Sequence, residues 1–219
     1  MPVPKPSDLA YVPFVSVENM MRLIHCIGLS RMLEGLATYI EDDFRRWQDF
    51  DKTPRVAAHS EDGVIELMPT SDGQTYGFKY VNGHPKNTRD GRQTVTAFGL
   101  LADVGNGYPV LLTEMTILTA LRTAATSALV AKYLAPAGAD TMAMIGNGAQ
   151  SEFQALAMQA LCGITRLRLY DIDPKATAKT MRNLAGQGFD LSACKTPQEA
   201  VEGAQIITTC TADKQYATI

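Results

Sequence analysis

Cysteine is scarce. The four present, Cys26, Cys162, Cys194 and Cys210, lie far apart in 219 residues, which excludes a disulfide framework and a zinc knuckle. They read as small apolar core residues. Basic charge is not in excess: 20 Lys and Arg against 23 Asp and Glu leave a net charge of -3, no footprint for nucleic acid. No apolar run is long enough for a membrane span, and Pro2, Pro4, Lys5, Pro6 and Asp8 stand where a signal peptide would have its apolar centre, so a soluble cytoplasmic protein is the expectation. Residues 1 to about 13 are expected to form an extended, proline-rich lead-in. Histidine is also sparse, with His25, His59 and His84 isolated from one another. His59-Ser60-Glu61 matches the H-x-E of zinc deaminases, but no P-C-x-x-C follows, and no metal site is expected. The absence of G-x-S-x-G and of a Cys/His pairing argues against acyl transfer.

What the chain does have is a glycine turn in an apolar setting. Thr141-Met142-Ala143-Met144-Ile145 runs into Gly146-Asn147-Gly148-Ala149-Gln150-Ser151 and then into the helical spacing Phe153, Leu156, Ala157, Ala160, Leu161. The pattern predicts strand, tight turn, helix. Gly146 suits a sharp turn, Gly148 lets the backbone approach a pyrophosphate, and the helix start offers N–H donors to an anion. Ser151 stands where the third glycine of the fingerprint falls, a position that serves helix-to-strand packing and accepts a small side chain. Arg166 to Asp171 predicts a second strand ending in an acid roughly twenty residues after the turn, where a ribose hydroxyl pair is held. Asp173-Pro174 predicts a capped helix start with proline at the first helical position. Ala204 to Thr211 predicts a further strand. The order βαβαβ points to dinucleotide binding; in an unrelated α/β loop Asp171 would be an ordinary turn residue.

Ahead of this lies a different pattern. Met20, Met21, Leu23, Ile24 and Ile27 predict a short helix ending at Gly28, and Ser30 reads as the cap of a longer one running to about Trp47. Its charges Glu41, Asp42, Asp43, Arg45 and Arg46 read as a solvated face. Arg55–Ser60 and Val64–Pro69 alternate as a hairpin joined at Asp62-Gly63. Tyr76–Val81, Thr94–Leu101 and Pro109–Leu112 supply three more strands of an antiparallel or mixed sheet. Thr113 to about Tyr133 predicts a helix rich in small and hydroxyl side chains, broken at Pro136. Arg55, Lys79 and Arg122 stand in otherwise apolar or neutral elements, without an obvious acidic neighbour in sequence. They suit the carboxylate of an amino or keto acid, or are scattered surface charges. Glu66, between Ile65 and Leu67, is either half-buried or solvent-facing.

Several of these stretches together resemble a known family. Arg45-Arg46-Trp47-Gln48-Asp49-Phe50-Asp51-Lys52, Lys79-Tyr80-Val81-Asn82-Gly83-His84-Pro85, Arg122-Thr123-Ala124-Ala125 and Gly146-Asn147-Gly148-Ala149-Gln150 are similar to the ornithine cyclodeaminase/mu-crystallin family, the first two to its ornithine branch. The resemblance covers almost all the chain after about Val17. It implies an α/β protein: an N-terminal mixed α+β domain for substrate and homodimer contacts, residues 1–135, then an incomplete Rossmann dinucleotide-binding domain, residues 136–219. The implied activity is that of an ammonia-lyase converting L-ornithine to L-proline and ammonia through an NAD-mediated internal hydride cycle. The family also admits an NAD-dependent amino-acid or imine oxidoreductase, or a non-catalytic NAD-binding protein. By the resemblance Arg55, Lys79 and Arg122 hold the substrate carboxylate, and Glu66 positions a water or amine. Thr94, Arg122, Gly146, Gly148, Ala149, Gln150, Asp171 and Thr211 contact NAD. Family members continue beyond the strand at Ile206–Thr211 and carry a general acid/base aspartate there. Asp213 lies too early to be its counterpart, so the 219-residue form is expected to be impaired, by ~10²–10⁴ in rate for a lost proton-transfer group.

Overall fold

The computed structural model describes residues 11–212, so the N-terminal proline-rich segment up to residue 10 and Asp213 lie outside the described residues. The chain divides into two compact units, one of residues up to 27 with 42–119, the other of 28–41 with 120 onward. The division therefore falls inside the hydroxyl-rich helix, between Thr119 and Ala120, not after it at residue 135, and a stretch of the second helix joins the later unit.

The first unit holds a six-stranded sheet. Its strands are β1 (Phe14–Val15), β2 (Val56–His59), β3 (Val64–Ser71), β4 (Thr75–Gly83), β5 (Ala97–Asp103) and β6 (Pro109–Glu114), in the order β1-β6-β5-β4-β3-β2. All neighbours are antiparallel except β1 and β6, which makes the sheet mixed. Between β2 and β3 the chain turns through Ser60–Gly63, where Ser60 N–H donates to the Gly63 carbonyl and Gly63 N–H to Ser60 Oγ. The strand expected from Thr94 begins at Ala97; Thr94 instead gives its carbonyl to His84 N–H, and Asn82 Oδ1 takes Thr96 N–H at 2.6 Å.

Strand periodicity sorts the sheet's side chains. Glu66 pairs with Val81 and Met68 with Lys79, so Glu66 and Lys79 share one face. The opposite face is apolar: Leu67 pairs with Tyr80, and Tyr80 with Phe98. Tyr80 and Phe98 stack with centroids 5.0 Å apart, and Phe78 meets Phe98 edge-on at 6.4 Å. Much of this face remains open, with Phe98 44% and Val56 66% exposed.

Helix α1 (Val17–Ile27) ends where Gly28 takes a φ of 87°, and α2 (Leu29–Arg45) starts at once, its Met32 N–H bonded to the Gly28 carbonyl. Ser30 is therefore inside α2 rather than its cap. Arg46, beyond its end, reaches Asp43 at 3.0 Å and Asp72 at 2.9 Å, so part of the charge cluster ties to the β3–β4 turn. Helix α3 (Thr116–Leu134) begins three residues later than its pattern suggested, because Thr113 and Glu114 still pair with β5. Glu114 Oε2 takes the Ile117 N–H at 3.1 Å.

The second unit has four parallel strands, β7 (Thr141–Ile145), β8 (Arg166–Tyr170), β9 (Asp190–Ala193) and β10 (Ile206–Thr209), in the order β10-β7-β8-β9. Helices α4 (Ser151–Cys162), α5 (Pro174–Leu184) and α6 (Pro197–Val201) connect them. β9 and α6 intervene between α5 and β10, so the expected βαβαβ run is one strand and one short helix longer. Asp173 caps α5 as anticipated, accepting from Lys175 N–H. β7 is buried throughout, as a central parallel strand covered on both faces must be. Leu33 and Ala37 of α2, and Leu121, Ala124, Ala125 and Ala128 of α3, belong to the same unit's buried set. The alanines let helices approach closely, and Cys162 Sγ lies 3.4 Å from the Ala128 carbonyl.

Candidate functional site

The glycine turn leaves β7 at the carboxyl end of the sheet. β7 lies between β8, the next strand in the chain, and β10, the last described strand. Chain order reverses at this point, and ligands of open α/β sheets bind at such a crevice. Gly146 has a φ of 90°, and a methyl on it would lie 2.9 Å from backbone atoms of Cys210 and Thr211. Only glycine satisfies both demands. Gly148 has nothing within 4 Å of where its Cβ would be, which leaves a cradle at the start of α4. Gln150, ahead of α4, makes no side-chain cap, so the partial positive end of the helix is left for an anion. Ala149, within the turn, and Thr211, whose backbone nitrogen approaches Gly146, are exposed, and burial pushes the thiol of Cys210, next to Thr211, up to about 11.

Asp171 stands at the end of β8. Its Oδ2 accepts from Asn147 N–H at 2.6 Å and its Oδ1 from Asp173 N–H at 2.8 Å. The carboxylate is thus fixed against the turn, and each oxygen retains a lone pair for a hydroxyl. Residues that the sequence did not single out hold the turn from below. Asn147, fully buried, donates through Nδ2 to Thr177 Oγ1 at 3.0 Å, and its Oδ1 has no hydrogen-bond partner. Thr180 Oγ1 reaches the Asn147 carbonyl at 3.3 Å and Ser151 Oγ at 3.0 Å. Lys179 Nζ sits 3.3 Å from the Gly148 carbonyl and 2.9 Å from Glu152. Burial acts to raise the Glu152 carboxyl, but hydrogen bonds from Lys179 and Asn183 outweigh it and hold the group below the usual range. The only sequence signal for this set is two threonines three apart on a helix.

In the first unit Arg55 Nη1 lies 3.1 Å from Glu66 Oε1, across the β2–β3 pair. Arg55 does have an acidic neighbour, brought by strand pairing rather than by sequence. Its side chain is 61% exposed whereas that of Glu66 is 18% exposed, so the carboxylate is the half-buried member of the pair. Lys79, part-buried on the Glu66 face, has its Nζ 3.5 Å from Thr119 Oγ1 in the first turn of α3. Arg122 follows Thr119 by three residues on α3 and belongs to the second unit. The sheet therefore gathers Arg55, Glu66 and Lys79 on one side. A guanidinium fork, an ammonium and a carboxylate form a set able to hold an α-amino acid by both charged groups.

A parallel sheet in the order 3-2-1-4, with a glycine turn at its switch point and an acid ending the neighbouring strand, defines a Rossmann-type dinucleotide-binding protein. The chain belongs to the ornithine cyclodeaminase/mu-crystallin family, whose profile matches residues 17–219. It is 72% identical over 212 residues to an ornithine cyclodeaminase of Brucella suis, covering 97% of this chain and 59% of that protein. Among solved structures it is similar to an archaeal alanine dehydrogenase dimer with bound NAD, with a TM-score of 0.80 and 27% identity over 91% of this chain and 60% of that one. A lysine cyclodeaminase shares the fold at a TM-score of 0.85 and 23% identity, over 92% of this chain and 61% of that one. The chain thus spans about three fifths of the length of the relatives it matches. Among the described residues no helix is long and apolar enough to cross a membrane, and no cluster of His, Cys, Asp and Glu could hold a metal ion.

Proposed function

We propose that this chain carries the NAD-binding and carboxylate-binding parts of an ornithine cyclodeaminase, an ammonia-lyase that converts L-ornithine to L-proline and ammonia. The observation that carries the reading is the 72% identity, across nearly the whole chain, to a protein of that name. The donor set supports it. NAD, when bound, supplies a two-electron acceptor that is restored within the same cycle, so the overall reaction is redox-neutral. The glycine turn, with Gly146, Gly148, Ala149 and Gln150, would hold the diphosphate, and Asp171 a ribose, where its charge repels a 2′-phosphate and favours NAD over NADP. Arg122 and Thr211 would add cofactor contacts from the same unit.

Arg55 and Lys79 would grip the substrate carboxylate. Glu66 is held by Arg55 in the free chain; a substrate carboxylate competing for that guanidinium leaves Glu66 to orient the substrate amine or a water. The open apolar face bearing Val56, Leu67 and Phe98 would be the subunit contact of a homodimer, since a contiguous exposed patch of this kind marks an interaction surface. Cytoplasmic residence fits four free cysteines.

The test is to incubate the complete gene product with NAD+ and L-ornithine. Equal amounts of proline and ammonia with no accumulation of NADH are expected. The likeness to alanine dehydrogenase favours a second reading, an NAD-dependent amino-acid or imine oxidoreductase. Stoichiometric NADH without proline would replace the first reading with that one.

A further inference from the structure

The polar residues buried in this protein are not scattered. Five of the eight described as buried, Asn147, Ser151, Gln154, Thr177 and Thr180, lie in the glycine turn, at the start of α4 or in α5. The buried stripe of α5 is Thr177, Thr180 and Leu184, a helical spacing that apolar side chains would fill without cost. Burying two hydroxyls there is unfavourable unless each is bonded. Both are bonded, and their partners are the turn and the first residue of α4: Asn147 Nδ2 to Thr177 at 3.0 Å, Thr180 to the Asn147 carbonyl at 3.3 Å and to Ser151 Oγ at 3.0 Å. The next carbonyl, that of Gly148, takes Ser151 Oγ at 2.8 Å and Lys179 Nζ at 3.3 Å.

These contacts fix two successive peptide planes. In a trans peptide the carbonyl of one residue and the N–H of the next point in opposite directions. With the Asn147 and Gly148 carbonyls drawn toward these side chains, the N–H groups of Gly148 and Ala149 must point away from them, and the space at the Gly148 Cβ position is open. Neither N–H donates a backbone hydrogen bond to another described residue.

We infer that Thr180 and Ser151 are positioning residues that set the direction of the Gly148 and Ala149 N–H groups for the diphosphate of the dinucleotide. The inference rests on the NAD reading above and adds residues, Thr180 of α5 in particular, that act on the cofactor only through the turn. Oriented dipoles of this kind bind an anion without paying to reorganise.

The experiment measures binding of NAD+ and of adenosine, which lacks the diphosphate, to the chain and to Thr180→Val, Thr180→Ser and Ser151→Ala. Loss of one hydrogen bond that orients the amides should raise the Kd for NAD+ about three- to tenfold in Thr180→Val and Ser151→Ala. Adenosine binding should be unchanged, and Thr180→Ser, which keeps the hydroxyl, should restore NAD+ binding. Should Thr180→Val not fold, Ser151→Ala carries the same comparison. Equal weakening of both ligands, or of neither, would overturn the positioning role while leaving the nucleotide site in place. Failure of the unsubstituted chain to bind NAD+ would remove the nucleotide site and the positioning role together.

Discussion

Two glycines two residues apart should respond in opposite ways to the same methyl group. Gly146→Ala forces a non-glycine residue to a φ of 90°, at a cost of ~1–2 kcal/mol for the left-handed region. The new Cβ would also lie 2.9 Å from Cys210 and Thr211 backbone atoms, which cannot rotate aside, and overpacking of this kind adds ~1–3 kcal/mol. Lower entropy of the unfolded chain returns about 0.4–1 kcal/mol. The net loss of about 1–4.6 kcal/mol corresponds to a fall in Tm of roughly 2–18 °C for a chain of this size. Gly148 lies outside the left-handed region and its Cβ would meet nothing within 4 Å. Gly148→Ala should therefore leave Tm within about 2 °C. The methyl would instead occupy the diphosphate's approach and weaken NAD+ binding by at least about tenfold. Thermal denaturation followed by circular dichroism, with NAD+ titration of each variant, reads both effects. A Gly146→Ala chain as stable as the parent, or a Gly148→Ala chain that binds NAD+ normally, would refute the assignment of separate roles.

Other perturbations test the first unit. Glu66→Gln removes only a partly exposed ion pair, worth ~0–1 kcal/mol, so Tm and NAD+ binding should hold while proline formation by the complete gene product falls by about 10²-fold from lost orientation; undiminished turnover would exclude Glu66 from the chemistry. Asp72 is held down to about 2 by the Thr75 backbone N–H first and then by the Arg46 guanidinium. Because its folded-state value lies below the ordinary ~3.9, its stabilising effect is full above about pH 4 and lost as the pH falls toward 2. Asp72→Asn should flatten the acid limb of the stability profile in that window, and an unchanged limb would contradict the assignment. Phe98→Lys, on the open sheet face, should weaken self-association by at least about tenfold in sedimentation, since charge at the centre of an apolar contact is costly; an undisturbed dimer would place the contact elsewhere.

Where geometry is set locally, the sequence carries it. The glycine turn, the Asp173-Pro174 helix start and the alternation of β2 to β6 depend on neighbouring residues and were legible. β9 was not, because a four-residue edge strand with one partly buried residue carries almost no periodicity. α6, of five residues, is too short for a helical repeat. The assignment of most of α2 and most of α3 to the second unit depends on packing between distant segments, to which Leu33, Ala37 and the alanines of α3 give no address. The same holds at the site. Arg55 and Lys79 stood out as cations in apolar strands, but the Arg55–Glu66 contact arises from register, and the hydroxyls of Thr177 and Thr180 are indistinguishable in sequence from surface threonines until α5 turns them inward.

The central claim, that the turn at Gly146–Gly148 receives a dinucleotide, is tested most directly by a crystal structure of the chain grown with NAD+. The account predicts diphosphate oxygens about 2.7–3.2 Å from the Gly148 and Ala149 nitrogens, with ribose hydroxyls at Asp171. NAD+ seated away from that turn, or a diphosphate on the α5 side of it, would contradict the account.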